Sequence, residues 1–533
     1  MLKKIDQDAE DKGLAAGAVT AATGIHLYRS NGLGEGFRGN AFVSAPSNNL
    51  VIRKVLGYDG LLPVASRAGQ DKSDEFLTSS DNWFRPIQIT TGPDGALYLA
   101  DMYREVIEIS WLVPKGIKRK INLENGSQFG RIWRIKPKGK AVKASKMPGH
   151  EGIPDLVARL SYPNAWHRQT AARLLVEKEA PASFALLQHV ADGSSNAQAK
   201  LHALYLLASF GKLDAPVITR ALNSIDPLVR VHALRLSEPF LGKPGNASIR
   251  KVVRSMVCEQ DERVLYQLAL TLGLDMGEGW IEPALGILLK EGVHNQTKLA
   301  LYNTLARDVT GAFRSLQHRE SPPAAWVELA NGIGLEKGFG KWLSGNLGVQ
   351  FKRNCLGMTN GEGSNPSLKL AAARLLEGWD KPAAASIYLS FIGGDDKHLQ
   401  HSAVTYLFDL KDPALSSKLL DNWKKLSAAS KDLAVGLLLE SGEGTQILLG
   451  KLQSGGIGKE DILPKYIGSL KGLGDPGQKK IVDSLFGDES LEDRDAAIKR
   501  FTPSLALKGD LKKGKELSEL FCIHCHKAGE GGG

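Results

Sequence analysis

Asn164-Ala165-Trp166-His167-Arg168-Gln169-Thr170-Ala171-Ala172-Arg173-Leu174-Leu175 sets the reading of most of the chain. Its apolar positions recur with the helical period, and alanines share the apolar stripe, so a second helix can approach closely. Related stretches follow at Ala199-Lys200-Leu201-His202-Ala203-Leu204-Tyr205-Leu206-Leu207, Asp226-Pro227-Leu228-Val229-Arg230-Val231-His232-Ala233-Leu234 and Asp261-Glu262-Arg263-Val264-Leu265-Tyr266. Further copies stand at Thr297-Lys298-Leu299-Ala300-Leu301 and Leu368-Lys369-Leu370-Ala371-Ala372-Ala373. The spacing is irregular, about 30 to 40 residues, as in HEAT-type arrays, whose helix pairs bury their apolar faces only by stacking. Asp226-Pro227 and Asp261 read as helix starts, a capping acid followed by a first-turn residue. HEAT-like repeats are therefore expected over residues 150–505.

Within that array the Gly- and Asn-rich stretch 338–363 is expected to be an insertion loop, with Trp342 and Phe351 as local anchors. His167, His202 and His232 recur at near-equivalent positions. Successive packed helices stand on the order of 10 Å apart, too far for these imidazoles to share one metal ion, so a structural role is expected. Cys258 and Cys355 lie far apart in apolar contexts and read as core thiols.

Upstream the period changes from 3.6 to 2. Short β-type runs alternate with turn signals: Ile25-His26-Leu27-Tyr28, Ala41-Phe42-Val43-Ser44, and Leu50-Val51-Ile52-Arg53-Lys54-Val55-Leu56. In the last of these, alternation places Leu50, Ile52 and Lys54 on one face and Val51, Arg53 and Val55 on the other. Pro86-Ile87-Gln88-Ile89-Thr90-Thr91 runs into Gly92-Pro93-Asp94-Gly95, and Ala96-Leu97-Tyr98-Leu99-Ala100-Asp101 returns. Pro93 pre-sets φ and Gly95 accepts a positive φ, so a hairpin is expected. Gly130-Arg131-Ile132-Trp133-Arg134-Ile135 is the last strand expected. Four-stranded blades of about 40–45 residues mark a β-propeller, and residues 1–140 have room for about two and part of a third.

Downstream, Cys522-Ile523-His524-Cys525-His526 has the C-x-x-C-H spacing that attaches a c-type haem. Two thiols one turn apart can each form a thioether to a haem vinyl group, and the following histidine binds the iron. The alternatives are a redox C-x-x-C and half of a zinc site. No second Cys pair completes a tetrahedral site, and no βαβ pattern precedes the motif. Residues 509–533 thus read as the start of a cytochrome c domain, with Cys522 and Cys525 as covalent anchors and His526 as axial ligand. No Met follows to serve as sixth ligand, and the propeller region falls short of closure, so the chain is expected to be a fragment cut at both ends.

The totals exclude several classes. The 533 residues allow two to four domains, and 42% hydrophobic with 24% charged residues is ordinary for globular protein. No run approaches the roughly eighteen apolar residues of a membrane span. Met1-Leu2-Lys3-Lys4 leads into Ile5-Asp6-Gln7-Asp8-Ala9-Glu10-Asp11, acidic where an export signal would be apolar. The net charge of +10 arises from 68 Lys and Arg spread among 58 acids, which reads as a solvated surface more than a nucleic-acid footprint and leaves attraction to an anionic partner or membrane surface open. Four cysteines in this length exclude a disulfide scaffold.

Gly39-Asn40-Ala41-Phe42-Val43, Ser80-Asp81-Asn82-Trp83-Phe84-Arg85-Pro86, Gly92-Pro93-Asp94-Gly95-Ala96-Leu97-Tyr98-Leu99-Ala100-Asp101-Met102-Tyr103-Arg104 and the C-x-x-C-H carry a resemblance. In this order they resemble the membrane-bound dehydrogenases of planctomycete and verrucomicrobial type, also called haem-binding CxxCH proteins. Their propeller is similar to that of the glucose/sorbosone dehydrogenases. The resemblance implies a multidomain protein: a partial β-propeller, an all-α HEAT-like solenoid and the start of an all-α cytochrome c domain. It implies a bacterial periplasmic or cell-envelope protein that oxidises a sugar or alcohol and passes electrons through haem c to an acceptor protein or respiratory-chain component. Pyrroloquinoline quinone and calcium are the cofactors it implies for the propeller. Arg85, Asp101, Tyr103 and Arg104 are the candidate residues at the propeller mouth; the alternative is that Asp101 and Arg104 make blade-end hydrogen bonds while Trp83, Phe84 and Tyr103 pack between blades. A propeller and HEAT scaffold without catalytic activity is the second functional expectation.

Overall fold

The computed structural model describes residues 21–68, 74–107, 122–139, 146–179, 181–243, 245–275, 277, 279–335, 343, 345–360 and 365–487, with 502–503, 509–510, 513–514 and 517. Over these residues an antiparallel sheet region is followed by a long helical region. The sheets do not close into a barrel. Two compact units divide the chain, Met1–Thr304 and Leu305–Gly533.

In the first unit β1 (Thr23–Leu27), β2 (Asn40–Ala45), β3 (Leu50–Asp59) and β4 (Leu62–Ser66) form a meander, with β5 (Leu77–Thr78) also paired to β3. A second sheet joins β6 (Pro86–Thr91), β7 (Leu97–Asp101) and β8 (Arg131–Ile135). Strands β1, β2, β3, β6, β7 and β8 fall on the expected stretches, and β4 and β5 are additional. Pairing Ile89 with Leu99 and Thr91 with Leu97 puts one apolar row on the inner face of the second sheet. That row joins Tyr28, Leu33, Phe42, Val51 and Phe84 in a shared core. Each large side chain buried there contributes about 1.5–3 kcal/mol to holding the two sheets together. In β3 both faces are covered at its start, since Val51, Ile52 and Arg53 are all buried. Arg53 lies over the Phe37 ring at 4.6 Å from its centroid.

The helical region begins at Ile153–Arg159 and Ala165–Glu177, and continues through Ala197–Ser209, Pro227–Leu241 and Glu262–Leu272. Their starts follow capping chemistry. Asn164, Asn196, Asp226 and Asp261 each accept a backbone N–H of the first turn. In the second unit Asn365-Pro366, Asp412-Pro413 and Asp475-Pro476 do the same with proline in the first turn. One apolar core there runs from Leu370 to Val482, and Ala373, Ala384, Ala403 and Ala434 within it are fully buried.

Two expectations are corrected. Residues 346–360 of the expected insertion loop form a helix, Asn346–Asn360. Leu347, Phe351, Cys355 and Met358 are buried at helical spacing, and Phe351 meets Phe313 at 5.2 Å and Trp379 at 5.8 Å between ring centroids. Trp342 lies outside the described residues. Cys355 is a core thiol whose pKa burial pushes up to about 12, but Cys258 is exposed, at the end of a 3-10 turn.

Candidate functional site

The end of the second sheet gathers Arg85, Asp101, Tyr103 and Arg104, as the sequence suggests. Asp101 is the centre. Its Oδ1 accepts from the backbone N–H of Arg85 (2.8 Å) and of Tyr103 (2.9 Å). Its Oδ2 accepts from Arg131 Nε (2.9 Å) and Trp133 Nε1 (3.0 Å). A carboxylate offers about four lone-pair positions, and all are taken. Burial alone pushes the carboxyl up, but the bonds from Trp133, Arg85, Tyr103 and Arg131 outweigh it and hold the pKa below its ordinary value.

Arg85 is buried and donates to the carbonyls of Arg104 (2.9 Å), Pro46 (3.1 Å) and Glu105 (2.6 Å), tying the turn after β2 to the end of the second sheet. Tyr103 has φ of 53°. That left-handed conformation is held by its N–H bond to Asp101 and by Arg131, stacked 3.6 Å from the ring centroid. Arg131 also bridges to Asp81 at 3.1 Å. Arg104 makes one long contact, Nη2 to Ser127 O at 3.4 Å. Asp101, Arg85 and Tyr103 therefore tie strand ends together and leave Asp101 no lone pair for a ligand, whereas Arg104 Nε is buried without a partner among the described residues. Sequence reasoning did not single out Arg131, Trp133 or Asp81. The signal was present in β8, where Arg131 and Trp133 share a face and fall opposite Asp101 and Leu99.

A second cluster joins the hairpin turn to the first helices. Gly95, at φ of 78°, and Gly32 approach so closely that a Cβ on Gly32 would stand 2.5 Å from Gly95 O. The Tyr28 hydroxyl donates to Gly95 O at 2.7 Å. Asn164 Oδ1 accepts from Ser30 Oγ (2.6 Å) and Trp166 N (2.9 Å), and its Nδ2 donates to Gly92 O (3.1 Å) and Pro93 O (3.0 Å). His167 Nδ1 faces Arg159 Nη1 at 2.8 Å. Because a guanidinium only donates, Nδ1 accepts and Nε2 carries the proton, which it gives to Pro93 O at 2.9 Å. Burial first, then Arg159, holds this imidazole below its ordinary pKa. Arg159 is completed by Glu151. Beside the cluster a groove of about 470 Å³ is lined by Gln88, Thr90, Tyr98, Ala100, Ile132 and Trp166.

The three recurring histidines do not meet. His167 serves the turn, and His232 Nδ1 contacts the Tyr205 hydroxyl at 2.8 Å. Among the described residues no three His, Cys, Asp or Glu side chains converge as a metal site. No helix among them is long and apolar enough to cross a membrane. Cys522, Cys525 and His526 lie outside the described residues, as does His524.

Fold and site together define an antiparallel sheet region joined to a helical region through the Gly92–Gly95 turn and through Arg29 and Ser30. Residues 3–139, which take in the sheet region, match the profile of a domain of unknown function, DUF7133. Comparison with curated proteins returned no match.

Proposed function

We propose that the chain is an extracytoplasmic c-type haem electron-transfer protein of the bacterial cell envelope. The observation that carries this reading is the spacing Cys522-Ile523-His524-Cys525-His526. The donor set suits the group: Cys522 and Cys525 supply two thiols for thioether bonds, and His526 supplies an imidazole for iron. When bound, the haem supplies one-electron transfer. In this reading residues 1–140 are blades of a dehydrogenase-type propeller acting on a sugar or alcohol, and residues 150–505 are a HEAT-like solenoid holding the ends in register. In this reading an acceptor protein or a respiratory-chain component takes the electrons. Asp101 is not assigned to calcium or to a catalytic base, since its lone pairs are engaged within the sheet. Pyrroloquinoline quinone rests on the family resemblance alone.

That engagement favours a second reading, a propeller and HEAT binding scaffold without catalysis. Expression of the full chain with a cytochrome c maturation system separates the two. Covalent haem is expected in the reduced-minus-oxidised spectrum, and is lost when Cys522 and Cys525 are both replaced by Ser. Reduction of that haem by a sugar or alcohol, with quinone added, supports the dehydrogenase. A haem that no such substrate reduces supports the scaffold, and a chain that takes up no covalent haem sinks the electron-transfer reading.

A further inference from the structure

Arg168 and Arg230 occupy matching places. Arg168 stands four residues after the N-cap Asn164, and Arg230 four residues after the N-cap Asp226. Both are anchored alike. Arg168 Nη1 donates to the carbonyls of Tyr162 (2.5 Å) and Pro163 (2.9 Å), the two residues before its cap. Arg230 Nη1 donates to Ser224 O (2.8 Å) and Ile225 O (3.0 Å), the two before its own.

They part at the other guanidinium edge. Arg230 Nε and Nη2 grip Glu259 at 2.7 and 3.0 Å, a bidentate fork that satisfies both charge and geometry. Among the described residues Arg168 Nη2 reaches only Arg29 O at 3.4 Å, and its Nε–H has no acceptor although the residue is 3% exposed. Glu259 lies two residues before the cap Asp261, whose N–H it accepts at 2.9 Å. The matching residue before the cap Asn196 is Ser194, whose Oγ accepts the Asn196 N–H at 3.1 Å. A hydroxyl thus stands where the other repeat has a carboxylate.

A buried guanidinium without an acid is unfavourable, because desolvation is not offset by an opposite charge. Here the neighbouring charges make it worse. Burial first, then Arg38 and Arg29, lowers the Arg168 pKa to about 10. Burial, then Arg168 and Arg29, holds the half-buried His202 below its ordinary value. Arg29 is exposed, and Arg38 has only a loose exposed pairing with Glu35 at 3.9 Å.

We propose that Arg29, Arg38 and His202 form the rim of an oxyanion site, with the buried charge of Arg168 beneath it, and that its ligand presents a carboxylate or phosphate group. The site is independent of the haem reading.

The test titrates the full chain with inorganic phosphate and, separately, acetate, at ionic strength held constant with chloride. Thermal unfolding and the His202 ring resonance are followed. A saturable rise in Tm beyond chloride, with an upward shift of the His202 pKa, is expected with at least one of the two. Response to phosphate alone assigns a phosphate ligand, and response to acetate assigns a carboxylate. Arg29→Ala, at an exposed position, weakens the effect about ten-fold, as loss of one charge-assisted contact does. Arg220→Ala, in an exposed pair with Asp192, leaves it unchanged. Ser194→Glu supplies the acid internally, so it raises Tm and removes the response. Phosphate and acetate no better than chloride, or a response indifferent to Arg29→Ala and Ser194→Glu, overturns the proposal.

Discussion

Asn164→Asp isolates what joins the hairpin turn to the helices. The substitution keeps shape and keeps an oxygen that accepts from Trp166 N and Ser30 Oγ, and aspartate caps a helix as well as asparagine. It removes both bonds donated by Nδ2, to Gly92 O and Pro93 O. Two neutral bonds are worth about 1 kcal/mol each, and a carboxylate oxygen turned toward two carbonyls in a buried site adds about 1–3 kcal/mol. Gly92 O keeps Gly95 N–H and Pro93 O keeps His167, which limits the loss. The expected destabilisation is about 3–5 kcal/mol at neutral pH.

The control is Asn196→Asp, another N-cap, whose Nδ2 makes only an exposed 3.4 Å contact with Ser161 O. It should change stability by no more than about 0.5 kcal/mol. Urea unfolding gives the difference, and hydrogen exchange over residues 86–101 localises it, since the Gly92 and Gly95 amides close the turn. The introduced acid has a folded pKa above its unfolded value. The penalty is therefore full at neutral pH and shrinks as pH falls through that raised pKa, where a protonated oxygen can donate again. Equal stabilities for the two variants at neutral pH would refute the claim that Asn164 holds the turn.

The histidines predict a pH dependence. His26, His167, His202 and His232 all have pKa values lowered from 6.5, with burial the largest cause for each. The unfolded chain binds more protons below that value, so stability is full above about pH 6.5 and declines as pH falls toward the folded values. Urea midpoints at pH 7.5 and 5.5 measure the decline, and His167→Gln should reduce it. Asp101→Asn places an amide N–H₂ against two donors and removes the Arg131 ion pair, for a loss of about 3 kcal/mol by urea unfolding. Tyr388→Phe deletes the 2.6 Å bond to buried Glu377, which keeps Arg374 at 3.1 Å. A loss of about 1–3 kcal/mol is expected, with hydrogen exchange changing in the Tyr388–Glu377 region and not in the sheets.

Features set by neighbouring residues were legible, and features set by distant ones were not. Asp226-Pro227 and Asp261 announce helix starts because the cap needs only the next turn. The Asn346–Asn360 helix was obscured by Gly348, Gly357 and three asparagines, which dilute a stripe that Leu347, Phe351, Cys355 and Met358 nonetheless keep. Strand β4 escaped for another reason. Every residue in it is exposed, so no buried face imprints an alternation, and its place is set by pairing with β3.

The same limit governs the candidate site. A strand end bearing Arg85, Asp101, Tyr103 and Arg104 has the same local sequence whether it binds a ligand or bolts a sheet. The deciding residues, Arg131 and Trp133, come thirty or more positions later and reach Asp101 only through the β7–β8 register. Once they do, each lone pair of the acid is engaged within the sheet. Arg168 inverts that logic. Its stretch reads as one more amphipathic helix, and its buried guanidinium is anchored just as Arg230 is. Only comparison of the two repeats reveals that Ser194 replaces the acid that completes the second one. The Arg230–Glu259 pair has no counterpart at Arg168 among the described residues, and that difference, not a cluster of charged residues, is what motivates the proposed oxyanion site.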